Sequence, residues 1–324
     1  MVHSINSDIY KKIYKNAFLI REIEKRIALE YPKQEIRCPT HLSIGQELVS
    51  SIVNLLTSKK DYAVSTHRAH AHYLSKGGDL NALIAELYGK KTGCSMGIGG
   101  SMHLIDTSVN FMGSSAIVGN SIPVGVGLAQ AAKLKKNNAI SIVYFGDGAI
   151  EEGVFYESVN YAVTKKLPVL FICENNFYSV YSNLTPRQPA KRKIHKMVAG
   201  LGLKTFYVKN HKIDEYYQAL FKSFEYVRKN QSPAFIELET YRYLEHCGYL
   251  DDDHLIYRDD AEIKKWKKLD IIPMLERLII DFKNDSEIQR FKKRTLAKIE
   301  KAFLFAKKSE PLSYEILEQL KYAK

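Results

Sequence analysis

The stretch Ala139-Ile-Ser-Ile-Val-Tyr-Phe-Gly-Asp-Gly-Ala-Ile-Glu-Glu-Gly-Val-Phe-Tyr-Glu-Ser-Val-Asn-Tyr-Ala-Val-Thr-Lys-Lys-Leu-Pro-Val-Leu-Phe-Ile-Cys-Glu-Asn-Asn176 decides the fold. Its first part, Ala139 to Phe145, is a run of β-branched and aromatic residues with no polar alternation, the pattern of a strand buried on both faces of a parallel sheet. From Glu151 to Lys166 the apolar positions Val154, Phe155, Val159 and Ala162 follow a helical period, and Leu167 to Cys173 reads as a second buried strand. A strand, helix and strand in that order predict a right-handed crossover, with both carboxyl ends on the same side of one sheet. Ligands of open α/β sheets bind at that side. The two strands end in Gly146-Asp147-Gly148 and in Glu174-Asn175-Asn176, so Asp147 and Asn176 are expected to converge.

Either sequence alone is an ordinary turn. Together at neighbouring strand ends they offer a carboxylate and an amide carbonyl, both hard oxygen ligands. Glycines there admit close backbone approach, and the following helix start favours an anion. Mg²⁺ is usually held by one or two protein oxygens together with phosphate oxygens, and the pattern suits magnesium carrying a diphosphate.

Working outward, Ile9, Ile13, Ala17, Ile20, Ile23 and Ile27 step by three and four residues and predict an amphipathic helix ending near Tyr31-Pro32. From Ala261 onward, Ile271, Leu275, Leu278 and Ile279 within a charged background predict two or three packing helices. With no Pro-, Ser- or Gly-rich linker and no repeat, residues 1–324 are expected to form one α/β unit. Its core would be about 36–260, with helical extensions at both ends, the C-terminal one about 261–324.

The chain has 324 residues, 45% hydrophobic and 26% charged, enough for a substantial core and incompatible with disorder or coiled coil. No apolar run reaches the ~20 residues of a membrane span. The first ten residues lack the apolar stretch and cleavage site of a secretory signal, so a cytoplasmic location is expected. Cys38, Cys94, Cys173 and Cys247 are widely separated and form no CxxC pair, which excludes a zinc ribbon and a disulfide framework. Forty-eight Lys and Arg against 36 Asp and Glu leave a net charge of +12. The basic residues are scattered among acids, as on solvated helix faces, and nucleic acid is set aside as a partner.

Three lookalike motifs fail. Gly89-Lys90-Lys91-Thr92 lacks the earlier glycine of a phosphate loop, where Ile84 stands. Gly125-Val-Gly127 has Gln130 at the third position of a dinucleotide fingerprint, and no clear strand is read before it. His67, His70 and His72 invite a zinc reading, but neither helix nor strand spacing puts all three on one face.

Further motifs extend the diphosphate reading: Thr40-His41 through Gln46-Glu47, Thr66-His67-Arg68-Ala69-His70, Gly93-Cys-Ser-Met-Gly-Ile-Gly-Gly-Ser-Met-His103, Ile117-Val118-Gly119 and Tyr241 to His246. With Asp147 and Asn176 spaced by 29 residues, the region from Ile36 to Asp260 resembles the alpha subunit of the first component of 2-oxo acid dehydrogenase complexes. Pyruvate, acetoin and branched-chain enzymes belong to that group.

The resemblance implies a parallel-sheet thiamine diphosphate-binding fold. It implies that Asp147 and Asn176 bind Mg²⁺ through side chains and Tyr178 through its carbonyl. Gly146, Gly148 and Ala149 would meet the diphosphate with backbone, Arg68 would grip a phosphate, and His246 would lie near both the diphosphate and the reacting centre. Val118 would touch the aminopyrimidine ring. His41, His67 and His246 are the candidate catalytic residues, since neutral imidazoles exchange protons near pH 7.

The family also implies a separate beta subunit, an α2β2 assembly, a 2-oxo acid substrate and a lipoyl acyltransferase as acceptor. Gly119 to Leu128 is a candidate subunit contact, with core packing as the competing reading. Two departures stand out: Ile98 replaces a basic residue, and Leu244-Glu245-His246-Cys247 replaces His-Gly-His-Ser, removing a serine that some relatives phosphorylate. A thiamine-dependent carboligase or transketolase-like enzyme stays open because Gly146 to Gly153 also resembles transketolases. A non-catalytic scaffold of the same fold and a nucleotide-binding module stay open as well.

Overall fold

The computed structural model of the chain describes residues 5–209 and 211–319. Its strands are β1 (Tyr62–Ser65), β2 (Phe111–Ser114), β3 (Ser141–Gly146), β4 (Val169–Asn175), β5 (Tyr178–Ser179), β6 (Ser182–Asn183), β7 (Lys204–Val208) and β8 (Ala234–Glu239). β5 and β6 pair as a small antiparallel hairpin, and the other six form one parallel sheet in the order β2-β1-β3-β4-β8-β7.

The deciding unit is as expected. β3 and β4 run in register from Ser141 opposite Val169 to Gly146 opposite Glu174. Between them a 3₁₀ turn, Asp147–Glu151, precedes the helix Gly153–Thr164. The helix starts two residues later than its apolar period suggests because Asp147-Gly148-Ala149 is wound into the tighter turn first.

Both faces of the sheet are covered, and the residues divide by parity, as a pleated strand requires. Ile142, Tyr144, Leu170, Ile172, Ile236 and Leu238 point into one core, shared with helices Ser7–Glu30, Glu47–Leu56 and Ile213–Asn230. Val143, Phe145, Phe171, Cys173 and Phe235 point into the other, under helices Ser121–Lys135 and Gly153–Thr164. Gly125 belongs to this second contact. A Cβ there would lie 2.3 Å from Cγ2 of Val143 and 2.9 Å from Cγ2 of Val64, so the glycine lets the helix approach the sheet closely. Core packing therefore accounts for this part of the 119–128 segment, while Val124 stays 49% exposed.

Two sequence readings need correction. β2 does precede the Gly125 helix; its four residues, Phe-Met-Gly-Ser, are too short and too mixed to show a strand pattern. The third glycine is still missing, so no dinucleotide fingerprint results. The C-terminal region holds four described helices rather than two or three: Asp260–Lys268, Ile271–Leu278, Ser286–Lys308 and Tyr314–Gln319. The helical region is divided at Asp270 and Asp285, each of which caps the next helix by accepting from its backbone. The third of the four helices packs against Leu80–Leu87 and Ser7–Glu30.

Spatially, β1 stands between β2 and β3, the next two strands in sequence. The chain leaves β1 in one direction and returns on the other side. This reversal opens a crevice at the carboxyl ends of the central strands.

Candidate active site

Every central strand empties into that crevice. Thr66, His67 and Arg68 follow β1; Ala116 and Val118 follow β2; Asp147, Gly148 and Ala149 follow β3; Asn176 and Tyr178 follow β4; and His246 comes from the segment after β8. His41 and Gln46 join from the segment before the helix Glu47–Leu56. Together with Gly146, Met102, Glu174, Ser179 and Val180 they line a cavity of about 190 Å³. All the residues expected from the sequence thus meet in one cavity. Gln46, Met102 and Glu174 were not expected there, although each lies inside one of the motifs that carry the resemblance.

Residues 40–46 and 241–248 are laid side by side. The Gly248 amide donates to the Thr40 carbonyl at 2.8 Å and the Tyr243 amide to that of Ile44 at 3.0 Å. Gly45 makes this possible: its φ is +97°, and a Cβ would lie 2.3 Å from the Tyr241 carbonyl oxygen. The pairing brings His41 and His246 together across 205 residues, and His67 completes a trio. Ring centroids are 4.5 Å apart for His41 and His67, 5.0 Å for His41 and His246, and 5.2 Å for His67 and His246.

Burial, with Arg68 adding to it, pushes the imidazole of His67 down to about 3. Burial likewise takes His246 to about 3, aided by Arg68 and Arg242, and His41 to about 2, aided by His67 and Arg68. All three are neutral near pH 7.

Arg68 is 6% exposed. Its guanidinium donates to the carbonyls of Leu42 and, at 3.2 Å, His246, and among the described residues it forms no ion pair. Burial and then Arg242 push it down to about 9. A buried cation with no carboxylate paired to it is costly, and an anionic ligand would reduce the cost. The arginine fork suits a phosphate.

On the opposite wall lie the oxygens. Asp147 is 1% exposed; burial raises its carboxyl and Arg187 opposes that rise. Arg187 bridges it to Glu151, with Nη2 2.5 Å from Asp147 Oδ2 and Nη1 2.5 Å from Glu151 Oε1. Asn176 accepts from the Tyr178 amide at 3.1 Å and donates to Gln46 Oε1 at 3.3 Å. Its neighbour Asn175 points away and donates to Glu237 at 2.8 Å. Phe177, at φ +69°, turns the chain into the β5–β6 hairpin, whose Ser179 stands over Gly148. A Cβ on Gly148 would meet Ser179 Oγ at 3.2 Å, so the floor of the cavity is bare backbone.

Glu174 sits between the walls. Its Oε2 lies 2.9 Å from His72 Nε2, His72 Nδ1 lies 2.7 Å from Ser65 Oγ, and Oε1 is buried with no partner. His70 contacts Glu24 at 3.2 Å and Ser101 at 2.8 Å. His70 and His72 are therefore engaged elsewhere, and only His67 of the 67–72 group reaches the cavity.

The donor set fits a diphosphate held with Mg²⁺. Asp147 and Asn176 are hard oxygen ligands, and Arg68, the histidines and the bare Gly148 backbone face the space an anion would take. The cavity is smaller than the ~300–1,000 Å³ of usual small-molecule pockets, so this chain encloses part of such a ligand. Ile117 and Val118 are 66% and 47% exposed at its rim.

Comparison with known proteins agrees in extent. The family model described as dehydrogenase E1 component matches residues 15–315. A Rickettsia bellii protein named pyruvate dehydrogenase E1 component subunit alpha is 35% identical over 308 residues, 94% of this chain and 93% of its own length. One of the same name from Porphyra purpurea is 37% identical over 276 residues, 83% of this chain and 79% of its own. The Arabidopsis thaliana protein named pyruvate dehydrogenase E1 component subunit alpha-3, chloroplastic, is 33% identical over 319 residues, 95% and 73% of the two lengths.

Proposed function

This chain belongs to the dehydrogenase E1 component family, and on that premise we propose that it is the alpha subunit of a thiamine diphosphate-dependent 2-oxo acid dehydrogenase. With a beta subunit it catalyses oxidative decarboxylation of a 2-oxo acid and passes the acyl group to a lipoyl acceptor. The observation that carries this reading is the pairing, in one cavity, of buried Asp147 and Asn176 at adjacent strand ends with the ion-pair-free guanidinium of Arg68.

When bound, thiamine diphosphate supplies the carbon nucleophile for the oxo group and accommodates the electron pair left as carbon dioxide departs. The chain's own residues bind and orient. Asp147 and Asn176 hold Mg²⁺ through their side chains and Tyr178 through its carbonyl. Arg68, His246 and the backbone of Gly146, Gly148 and Ala149 hold the diphosphate, and Val118 supports the aminopyrimidine by its backbone. His41 and His67, kept neutral by burial, orient the substrate oxygen by donating a ring N–H hydrogen bond, which adds no charge to a cavity that already contains Arg68.

The beta subunit completes the site. The small cavity and the exposed apolar residues Ile117, Val118 and Val124 at and beside its rim support an α2β2 assembly closing over it. Among the described residues no helix is long and apolar enough to cross a membrane. A cytoplasmic location is part of the proposal.

The test is turnover by this chain co-expressed with its beta subunit, using a panel of 2-oxo acids and sugar donors, an artificial electron acceptor, and cofactor and Mg²⁺ added or withheld. We expect cofactor-dependent turnover of one 2-oxo acid, abolished by Asp147→Ala. Turnover of sugar donors alone would replace the reading with a transketolase-like one. An intact complex that binds no thiamine diphosphate would overturn it.

A further inference from the structure

The three imidazoles at the mouth of the cavity form a constellation that diphosphate binding does not exhaust. Their candidate donor nitrogens all lie within 4.8 Å of one another. The rings are mutually inclined, at 56°, 82° and 59° for the pairs His41–His67, His41–His246 and His67–His246, as when three imidazoles face a common point. We infer that His41, His67 and His246 form a three-nitrogen site for a transition-metal dication of the zinc class, distinct from the oxygen-lined magnesium site on the opposite wall.

The geometry is close to what such an ion needs. Zinc–nitrogen bonds of about 2.0–2.1 Å at tetrahedral angles place the centroids of three ligating imidazoles about 5 Å apart, against the observed 4.5, 5.0 and 5.2 Å. The nitrogens themselves must close to about 3.3 Å, which ring rotation about Cβ–Cγ supplies while the centroids stay nearly in place. Among the described residues no hydrogen bond of these rings opposes that rotation. Nδ1 of His41 is buried without a partner, and among the described residues the rings of His67 and His246 take part in no hydrogen bond.

Ligand chemistry separates the two sites. Imidazole favours zinc, copper, nickel and iron, whereas carboxylate and amide oxygens favour magnesium. The neutral state of the imidazoles leaves their lone pairs free to bind. The surrounding charges are mixed: Arg68 and Arg242 oppose a cation, while Asp252, beside His246, favours it. The rings also lack the carboxylate or carbonyl that usually fixes a metal-bound histidine. These features describe reversible occupancy with an open fourth position facing the cavity. An ion held there ties up nitrogens that the proposed chemistry needs, so the site would make the protein responsive to free zinc. The binding itself does not depend on the thiamine reading, because it requires no cofactor.

The test adds CoCl₂ or ZnCl₂ to the metal-free, cofactor-free full chain, alone and with its beta subunit. Cobalt is read by visible absorption and zinc by calorimetry. We expect one ion per chain, the intense absorption of a four- or five-coordinate cobalt site, and at least tenfold weaker binding in His67→Asn and in His246→Asn. Cys247→Ser and Asp251→Asn, which alter the other donors able to bind metal nearby, should change nothing. A pale six-coordinate spectrum, affinity unchanged in the histidine variants, or loss confined to Cys247→Ser or Asp251→Asn would overturn the assignment. A second measurement needs no variant: Zn²⁺ should protect His67 and His246 from diethyl pyrocarbonate, mapped by mass spectrometry, and equal modification with and without zinc contradicts the site.

Discussion

The guanidinium of Arg187 sits on Asp147, Nη2 to Oδ2 at 2.5 Å, and extends to Glu151 at the same distance. Only Oδ1 of the aspartate is left facing away from this bridge. Arg187 thus orients the carboxylate proposed to hold Mg²⁺ and counters the effect of its burial. Partners of metal ligands typically contribute about 10- to 100-fold in affinity. Arg187→Ala is expected to weaken Mg²⁺-dependent thiamine diphosphate binding by about that factor, measured calorimetrically at fixed magnesium. Tighter binding in the variant would mean that the guanidinium competes with the ion instead of positioning its ligand.

His211 gives a pH prediction away from the site. It is fully buried between Thr240 Oγ1, 3.1 Å from Nε2, and the Leu269 carbonyl, 3.3 Å from Nδ1, and burial pushes its imidazole down to about 4. The unfolded chain, with histidine near 6.5, binds the proton more readily. Stability from His211 is therefore full above pH 6.5 and lost as pH falls toward 4. Between pH 7.5 and 5.5 the loss is about 1.4 kcal/mol for this group, and His41, His67 and His246 act in the same direction. Urea denaturation at the two pH values checks it, with His211→Gln expected to show a smaller difference than the parent chain.

Glu86 anchors the glycine-rich loop. Fully buried, it accepts from the amides of Ser95, Gly97, Gly99 and Gly100 at 2.7, 2.9, 2.7 and 3.1 Å. Hydrogen bonds to a charged group contribute about 1.5–3 kcal/mol each. Glu86→Ala should raise hydrogen exchange at those four amides by roughly 100-fold while the helix Ser7–Glu30 keeps its protection. Equal loosening of both would assign Glu86 to global stability.

Gly125→Ala tests the contact between helix and sheet. The new methyl meets Val143 and Val64, and overpacking of this kind costs about 1–3 kcal/mol, partly offset by about 1 kcal/mol of helix propensity. A lower urea midpoint, corresponding to a net loss of up to about 2 kcal/mol, is expected with cofactor affinity retained. An unchanged midpoint would show that the valines can give way.

The legible parts of this molecule were those where local chemistry and fold coincide. β3 and β4 are buried on both faces, so their sequence is apolar throughout, and parallel pairing then dictates that Asp147 and Asn176 leave on the same side. β2 was hidden because an edge strand of four residues need not be uniformly apolar. The meeting of His41 with His246 rests on backbone hydrogen bonds between segments some two hundred residues apart, for which no local pattern exists. Glu174 is conspicuous in the sequence beside Asn175, but its link to His72 and Ser65 depends on where β1 lies in the sheet. Arg187 carried no signal, since a short helix after a hairpin resembles any surface turn.

The strand order bears on how the molecule is made. Ribosomal synthesis delivers Arg68 and His67 early, Asp147 and Asn176 in mid-chain, and the 241–248 segment only after most of the polypeptide has emerged. That last segment shields His41 and supplies a carbonyl to Arg68. A nascent chain halted before β8 would lack His246 and the central strand between β4 and β7, so the cavity cannot be assembled while translation is still upstream of that point. Loading with cofactor accordingly has to wait for the last quarter of the chain to be under synthesis or finished.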